Sequence, residues 1–307
     1  MPSPHHARSM QGIFLVSTDS TAQGWVFENN LPTVAAYCGY KIPSGEYVYD
    51  ETEHKYPIIA VENKYDLIAT GEWSNTYRSW SKVGFNPDIS TAEEAVNWAG
   101  SVFWAATSGQ PMRVASANNL DKVGSSGCTK VWIKYLDAMY LEQTTTVTLN
   151  GTTAVLLVDT SIARIQNFQA YEGNTPLGNI AIGPSTGGTI STIAAGYTRA
   201  RNSMWTVPTS QTLYIKDIYF AAAGDAKTGL VSRVLLRTNY NESQNRYSTS
   251  LFWPVLTALL KDNEHCMNLS IPVRIPEKTD IYATAISAAA SSGNLVETIF
   301  RGWVSDN

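Results

Sequence analysis

The chain has 307 residues, of which 44% are hydrophobic and only 16% charged, with a formal net charge of −4. An average soluble domain carries about 25% charged residues, so this surface is polar but thinly charged. Without a run of Lys and Arg it lacks the clustered cations that phosphate-backbone binding needs, and without an apolar segment of roughly 18 residues it has no membrane-spanning helix, so neither nucleic acid nor membrane is expected as a partner.

The opening "MPSPHHARSMQGIFLVSTDS" has only Ile13 to Val16 as an apolar run, too short for an export signal. The three cysteines, Cys38, Cys128 and Cys266, therefore read as buried, reduced thiols of a chain made in a cytosol. The Asn-x-Ser/Thr triplets at Asn150, Asn241 and Asn268 are expected to stay unglycosylated.

Residues 1–35 carry Pro2, Pro4, Gly12, Gly24 and Pro32 among polar residues and read as an extended N-terminal arm. Its Phe14 and Trp25 have no core of their own, which makes them candidate assembly contacts. Residues 36–125 read as an irregular β region, rich in Tyr and Trp and broken by turn residues. Trp73 and Trp80 are the candidates there for stacking on a sugar, against the plainer reading that they pack. Within this region "STAEEAVNWAG" predicts a short helix near 91–99, with Ser90 as N-cap, Glu93 three residues on and Gly100 as the stop.

Residues 126–307 read as a β-sandwich domain. Ten runs, from "KVWIKYL" through "TAVLLV", "TLYIKDIYFAAA" and "VSRVLLRTNY" to "VETIFRGWV", are β-prone and separated by Gly, Pro, Asn, Asp or Ser. Asn150-Gly151 between "TTVTL" and "TAVLLV" predicts a two-residue hairpin that sets Val147 opposite Ala154. "WPVLTALLKDNEH" predicts a second helix, because Pro254 suits a first turn and Leu256, Leu259 and Leu260 share a helical face. The fold class is therefore all-β: a two-sheet antiparallel β-sandwich, jelly-roll-like, with the N-terminal arm and one or two short helices.

Catalytic patterns are weak. "GPSTG", Gly183 to Gly187, matches a Gly-x-Ser-x-Gly elbow around Ser185, with Asp217 or Asp225 and His265 following, but an elbow needs a helix directly after its serine and "TGGTISTIAAG" reads as loop and strand. His5, His6, His54 and His265 are too dispersed for a metal site, and "DETEH" lacks the alternating oxygen ligands of a calcium loop. Glu46, Asp50, Asp121, Asp137 and Asp159 are carboxylates without a visible pairing. No catalytic residue, metal or cofactor is expected.

The segments "SKVGFNPDISTAEEAVNWAG", "GSSGCTKVWIKYLDAMYLEQTTTVTLNGTTAV", "EGNTPLGNIAIG", "IAAGYTRARNSMWTVPTSQTLYIKDIYFAA" and "IPEKTDIYATAIS" follow an order that resembles a family of virion structural proteins of tailed bacteriophages. The likeness covers roughly residues 82–305. Its most specific marks are Asn86-Pro87-Asp88-Ile89, Leu136-Asp137, Leu149-Asn150-Gly151-Thr152-Thr153, Gly178-Asn179-Ile180 and Val207-Pro208; it departs in Tyr135, where a glycine is expected, and in the Gly-rich turn before the strand, which reads Ser126-Gly127-Cys128-Thr129. The resemblance implies residence in the virion more than a place within it, and the first reading is a non-enzymatic capsid decoration or cement protein, made in the host cytoplasm. Its expected partners are its own copies, as a homo-oligomer, and other virion proteins such as the major capsid protein. A tail, neck or baseplate component, or a module binding a host glycan or receptor, are the alternatives.

Overall fold

The computed structural model describes residues 77–98, 109–223, 231–241, 246–247, 252–261, 264–288 and 294–307, with three strand segments at 9–10, 13–15 and 58–60. Among these residues the strand pairings are antiparallel and no helix occurs. The chain divides into two compact units, Met1–Ser79 and Trp80–Asn307. In the first, β1 (Ser9–Met10) and β2 (Ile13–Leu15) form a hairpin, and β3 (Ile58–Ala60) pairs with β2 so that Ile59 lies opposite Phe14.

The strands that follow are β4 (Tyr77–Asn86), β5 (Glu94–Ala95), β6 (Met112–Ser116), β7 (Cys128–Asp137), β8 (Glu142–Thr148), β9 (Val155–Leu156) and β10 (Ile162–Gly173). Then come β11 (Ile180–Pro184), β12 (Ser191–Ile193), β13 (Trp205–Thr206), β14 (Gln211–Ala223), β15 (Val231–Thr238) and the small pair β16 (Tyr240–Asn241) and β17 (Arg246–Tyr247). The last four are β18 (Trp253–Lys261), β19 (Glu264–Ile275), β20 (Asp280–Ser287) and β21 (Leu295–Asp306).

One sheet reads β4-β21-β14-β19. Facing it are β20, β15 and β18 in that order, with the position outside β20 shared by β13 and β5. From β14 onward the chain crosses between the sheets at every step except β15 to β18, and each returning strand lies beside one laid down earlier. This is the strand order of an eight-stranded jelly roll. Its core draws Leu213, Ile218, Phe220 and Phe300 from one sheet and Val234, Leu236 and Ala283 from the other. Along β14 the buried apolar positions are Leu213 and Ile215, then Ile218, Phe220 and Ala222, a switch from odd to even. A bulge between Ile215 and Asp217 inserts one residue and turns Lys216 out of the way, so apolar side chains keep facing inward on both halves of the strand.

The outer column beside β20 holds the key to the architecture. β5 pairs with Thr284 and Ala285, β13 pairs with Asp280 and Ile281, and the two short strands thus lie end to end. Between them the chain leaves the jelly roll and builds a second sandwich. The sheet β10-β7-β8 packs on β12-β11-β6-β9 around Met112, Ile133, Val147, Ile165, Phe168 and Ile182. An isolated bridge from Asn97 to Asn202 closes the neck where the chain departs and returns.

Three sequence expectations fail here. Residues 91–98 are not helical: Glu94 and Ala95 pair with β20, Val96 is buried in the core, and the intended helix cap is a local turn in which the Ala92 N–H bonds Ser90 Oγ at 3.2 Å. Residues 253–261 form β18 rather than a helix. Leu256, Ala258 and Leu260 alternate inward while Leu259 is 70% exposed, and Pro254 sits opposite Arg237 at a bulge on this edge strand, where a missing N–H does no harm. The hairpin at Asn150-Gly151 also does not form: the turn is present, with Gly151 at φ +60° and the Thr153 N–H on the Asn150 carbonyl at 3.1 Å, but β8 pairs with β7 and β9 with β6. The turn therefore carries the chain across the sandwich instead of doubling it back.

Candidate functional site

Of the residues singled out as assembly or stacking contacts, Phe14 lies in β2, while Trp25 and Trp73 fall outside the described residues. Trp80 stands on β4 and packs against Trp205, ring centroids 5.1 Å apart, at the margin of the jelly-roll core. Ser185 follows β11 in the turn to β12, its N–H bonded to the Pro111 carbonyl at 2.9 Å, with Gly187 and Gly188 both at positive φ. No helix follows it, so the elbow geometry is absent. Asp217 and His265 stand on β14 and β19 of the jelly roll, and Asp225 lies outside the described residues. Among the described residues no three His, Cys, Asp or Glu side chains gather as a metal site. Cys128 is a buried thiol, as expected, but Cys266 is exposed because it falls on the outer strand β19; Cys38 lies outside the described residues.

Of the five candidate carboxylates, Glu46 and Asp50 lie outside the described residues, and the other three take structural roles. Asp137 caps its own turn, accepting the N–H groups of Met139 at 2.8 Å and Leu141 at 3.0 Å. Asp159 accepts both the N–H and the hydroxyl of Ser161 at 2.8 Å. Its hydrogen bond to Tyr135, after burial as the larger cause, helps push that phenol up to about 12.

Asp121 is the most elaborate of them. It is fully buried and accepts four donors: the N–H groups of Cys128 (2.9 Å), Leu177 (3.0 Å) and Gly178 (3.0 Å), and the Ser116 hydroxyl (2.6 Å). Burial pushes this carboxyl up, but the donors, Leu177 foremost, outweigh it and hold it below the ordinary aspartate range. Its own carbonyl accepts the Gly151 N–H at 2.9 Å. Gly127 must be glycine, because a Cβ there would lie 2.1 Å from Asp121 Oδ1. Thus the turn before Cys128, the Asn150-Gly151 turn and the Gly178-Asn179 step converge on one aspartate, the first and last on its carboxylate and the second on its backbone carbonyl.

A second buried network joins the two sandwiches. Arg164 on β10 forks onto Asp280 at the start of β20, Nε to Oδ1 at 2.9 Å and Nη2 to Oδ2 at 3.0 Å, with both side chains about 5% exposed or less. Asp280 also accepts Thr206 Oγ1 at 2.5 Å and Asn239 Nδ2 at 3.3 Å. Gln166 holds the Thr206 backbone from the same strand as Arg164, and Tyr140 lays its ring 5.6 Å from the guanidinium. Burial lowers the arginine's pKa, but the hydrogen bond and charge of Asp280 outweigh it and leave it raised, so the guanidinium stays cationic. Beside this pair Lys82 of β4 donates to the Gln166 carbonyl at 2.5 Å; burial of its amine lowers its pKa to about 7. Sequence reasoning missed both networks. Asp121 stood out only as an unpaired carboxylate, and nothing in the chain ties Arg164 to a partner 116 residues away.

No family model matches the chain, and no curated protein matches it. Among solved structures it has weak similarity to a structure of infectious bursal disease virus, Gx strain, at 10% identity and a TM-score of 0.22, covering 76% of this chain and 72% of that one. The Gt strain gives 10% identity and a TM-score of 0.19 over 74% of this chain and 70% of that one. The VP2 subviral particle of the same virus gives 10% and 0.17, covering 75% and 72%. TM-scores this low carry no argument about function.

Proposed function

We propose that this chain is a non-enzymatic structural protein of a bacteriophage virion, a capsid decoration or cement protein that stabilises the particle through contacts with its own copies and with the major capsid protein. The observation that carries the reading is where the polar groups go. Asp121, Asp137 and Asp159 are saturated by turn donors, and Arg164 and Asp280 are consumed in joining two sandwiches. The investment is in a stiff, two-part body. A jelly roll suits that role, since its double-sheet wrap presents broad flat flanks, and such folds recur in viral shells. The family resemblance over residues 82–305 supplies the bacteriophage. The glycan-binding alternative is the weaker one, because Trp80 packs against Trp205.

Quantitative mass spectrometry of gradient-purified virions from the phage that encodes this chain tests the proposal. Many copies per particle, comparable with the major capsid protein, support a shell role. A handful of copies moves the chain to the tail, neck or baseplate. Its absence from washed particles, or turnover of a polysaccharide or ester by the purified chain, overturns the reading.

A further inference from the structure

We infer that β8 is a self-pairing edge, at which a second copy of this chain adds its own β8 antiparallel and joins two three-stranded sheets into one of six. The first observation is the phase of the ladder. β8 pairs with β7 in unbroken register from Lys130 opposite Thr148 to Leu136 opposite Glu142. Just beyond the ends of this ladder the Leu149 N–H bonds the Thr129 carbonyl at 2.9 Å and the Asp137 N–H bonds the Leu141 carbonyl at 3.1 Å. Opposed residues of an antiparallel pair alternate between bonded and non-bonded, so the odd residues of β8 face β7. Thr144, Thr146 and Thr148 then direct both N–H and C=O outward, and all three side chains are exposed.

The second observation is that, among the described residues of 77–307, the other long edges carry protection that β8 lacks. β18 has Pro254 and a bulge, and β19 has Pro272 and a stretch in which the step from Asn268 to Val273 opposes only that from Asp217 to Ile215. β10 is covered by residues 198–200, through the Ala170 N–H on the Thr198 carbonyl and the Ala200 N–H on the Phe168 carbonyl. β4 is crossed by Arg201, whose carbonyl takes the Phe85 N–H at 3.3 Å. β9 and β12 are two and three residues long. By contrast, Gln143 to Thr148 holds no proline, no bulge and no charge.

The occupant follows from that lack of charge. A strand bearing Lys or Glu at its centre would repel its own copy, whereas this one meets itself without opposing like charges. Centring the two-fold on Thr145, the midpoint of β8, sets Thr144 opposite the partner subunit's Thr146 and brings the strand's only acid, Glu142, opposite the partner subunit's Thr148. Glu142 is in any case paired with Lys134 at 2.9 Å. Threonine facing threonine is a favourable cross-strand pair. One strand pair is a small interface, so the contact is weak in dilute solution and gains its effect when many copies share a surface.

The inference rests on the proposed virion role only for the premise that copies meet; the choice of edge comes from β8 itself. In this register Thr145 faces its own copy as a non-bonded pair, at a Cα separation of about 4.5 Å that a disulfide can span. The test uses Thr145→Cys in the full chain with Cys38→Ser and Cys266→Ser, oxidised mildly, beside Thr152→Cys as an exposed cysteine away from the edge. The expected result is severalfold more disulfide dimer from Thr145→Cys, lost when Thr146→Pro is added. That proline deletes an outward N–H and leaves the β7 ladder whole, so circular dichroism should be unchanged. Equal dimer from the two cysteines overturns the inference even if the chain is abundant in virions. Specific dimer from a chain absent from virions leaves the inference standing and removes the virion reading.

Discussion

The inserted sandwich and the joint beneath it each bury an aspartate, and they neutralise it in opposite ways. Asp121 is held by three backbone N–H groups and one hydroxyl from its own sandwich, all within 57 residues of sequence. Asp280 is held by a guanidinium that reaches it from the other sandwich, 116 residues away. Backbone donors lock loops into one conformation but bear no net charge, so the first arrangement fixes a local fold. A forked ion pair is directional and costly to break, so the second fixes how two bodies sit together.

The contrast predicts a ranked set of effects. Arg164→Ala should be the most damaging, at about 3–5 kcal/mol by urea unfolding, because it strands Asp280 as an unpaired buried charge. Replacing both partners, Arg164→Met with Asp280→Leu, should recover most of that loss, since apolar residues need no compensation; a double variant as unstable as the single would break the contrast. Asp121→Ala should cost about 3 kcal/mol, the scale of leaving buried N–H donors unmatched, and should loosen the loops at Gly127, Gly151 and Gly178 first. Hydrogen exchange at the Cys128, Leu177 and Gly178 amides checks this, and unchanged protection there would refute it.

The two regions should also answer to pH at opposite ends of the scale. The Asp121 carboxyl is held below its unfolded value, so its contribution is complete above about pH 4 and is lost as pH falls through the lowered folded value. At the joint the Lys82 amine loses its proton near pH 7 in the folded chain and only near about 10.4 when unfolded. Between those values the unfolded state binds more protons, so stability should rise as pH increases from 7 towards 10. Lys82→Met should flatten that rise while leaving the acid limb alone. A denaturation series at pH 3, 7 and 9 measures both limbs.

Much of the β architecture was legible from local sequence. Runs such as "IARIQNFQAY" and "VETIFRGWV" are strands because β-branched and aromatic residues alternate or mass there, and they appear as β10 and β21. What failed was where two periods compete. "WPVLTALLK" fits a helical face as well as a pleat, and the ladder to β15 decides in favour of the pleat. "STAEEAVNWAG" has good capping chemistry, yet Glu93 is taken by a fork from Arg237 at 2.5 and 2.8 Å and by Thr284 at 2.7 Å, partners that no local window contains. The insertion was hidden for a similar reason. β5 and β13 are two residues each and lie on either side of the whole second sandwich, so only their shared partner β20 shows that they belong together.

The most direct test of the account is a cryo-EM reconstruction of the intact virion at side-chain resolution. The expected result is a repeating two-sandwich density over the shell, with Arg164 on Asp280 inside each copy and β8 strands of neighbouring copies side by side. A shell without this density would contradict the account.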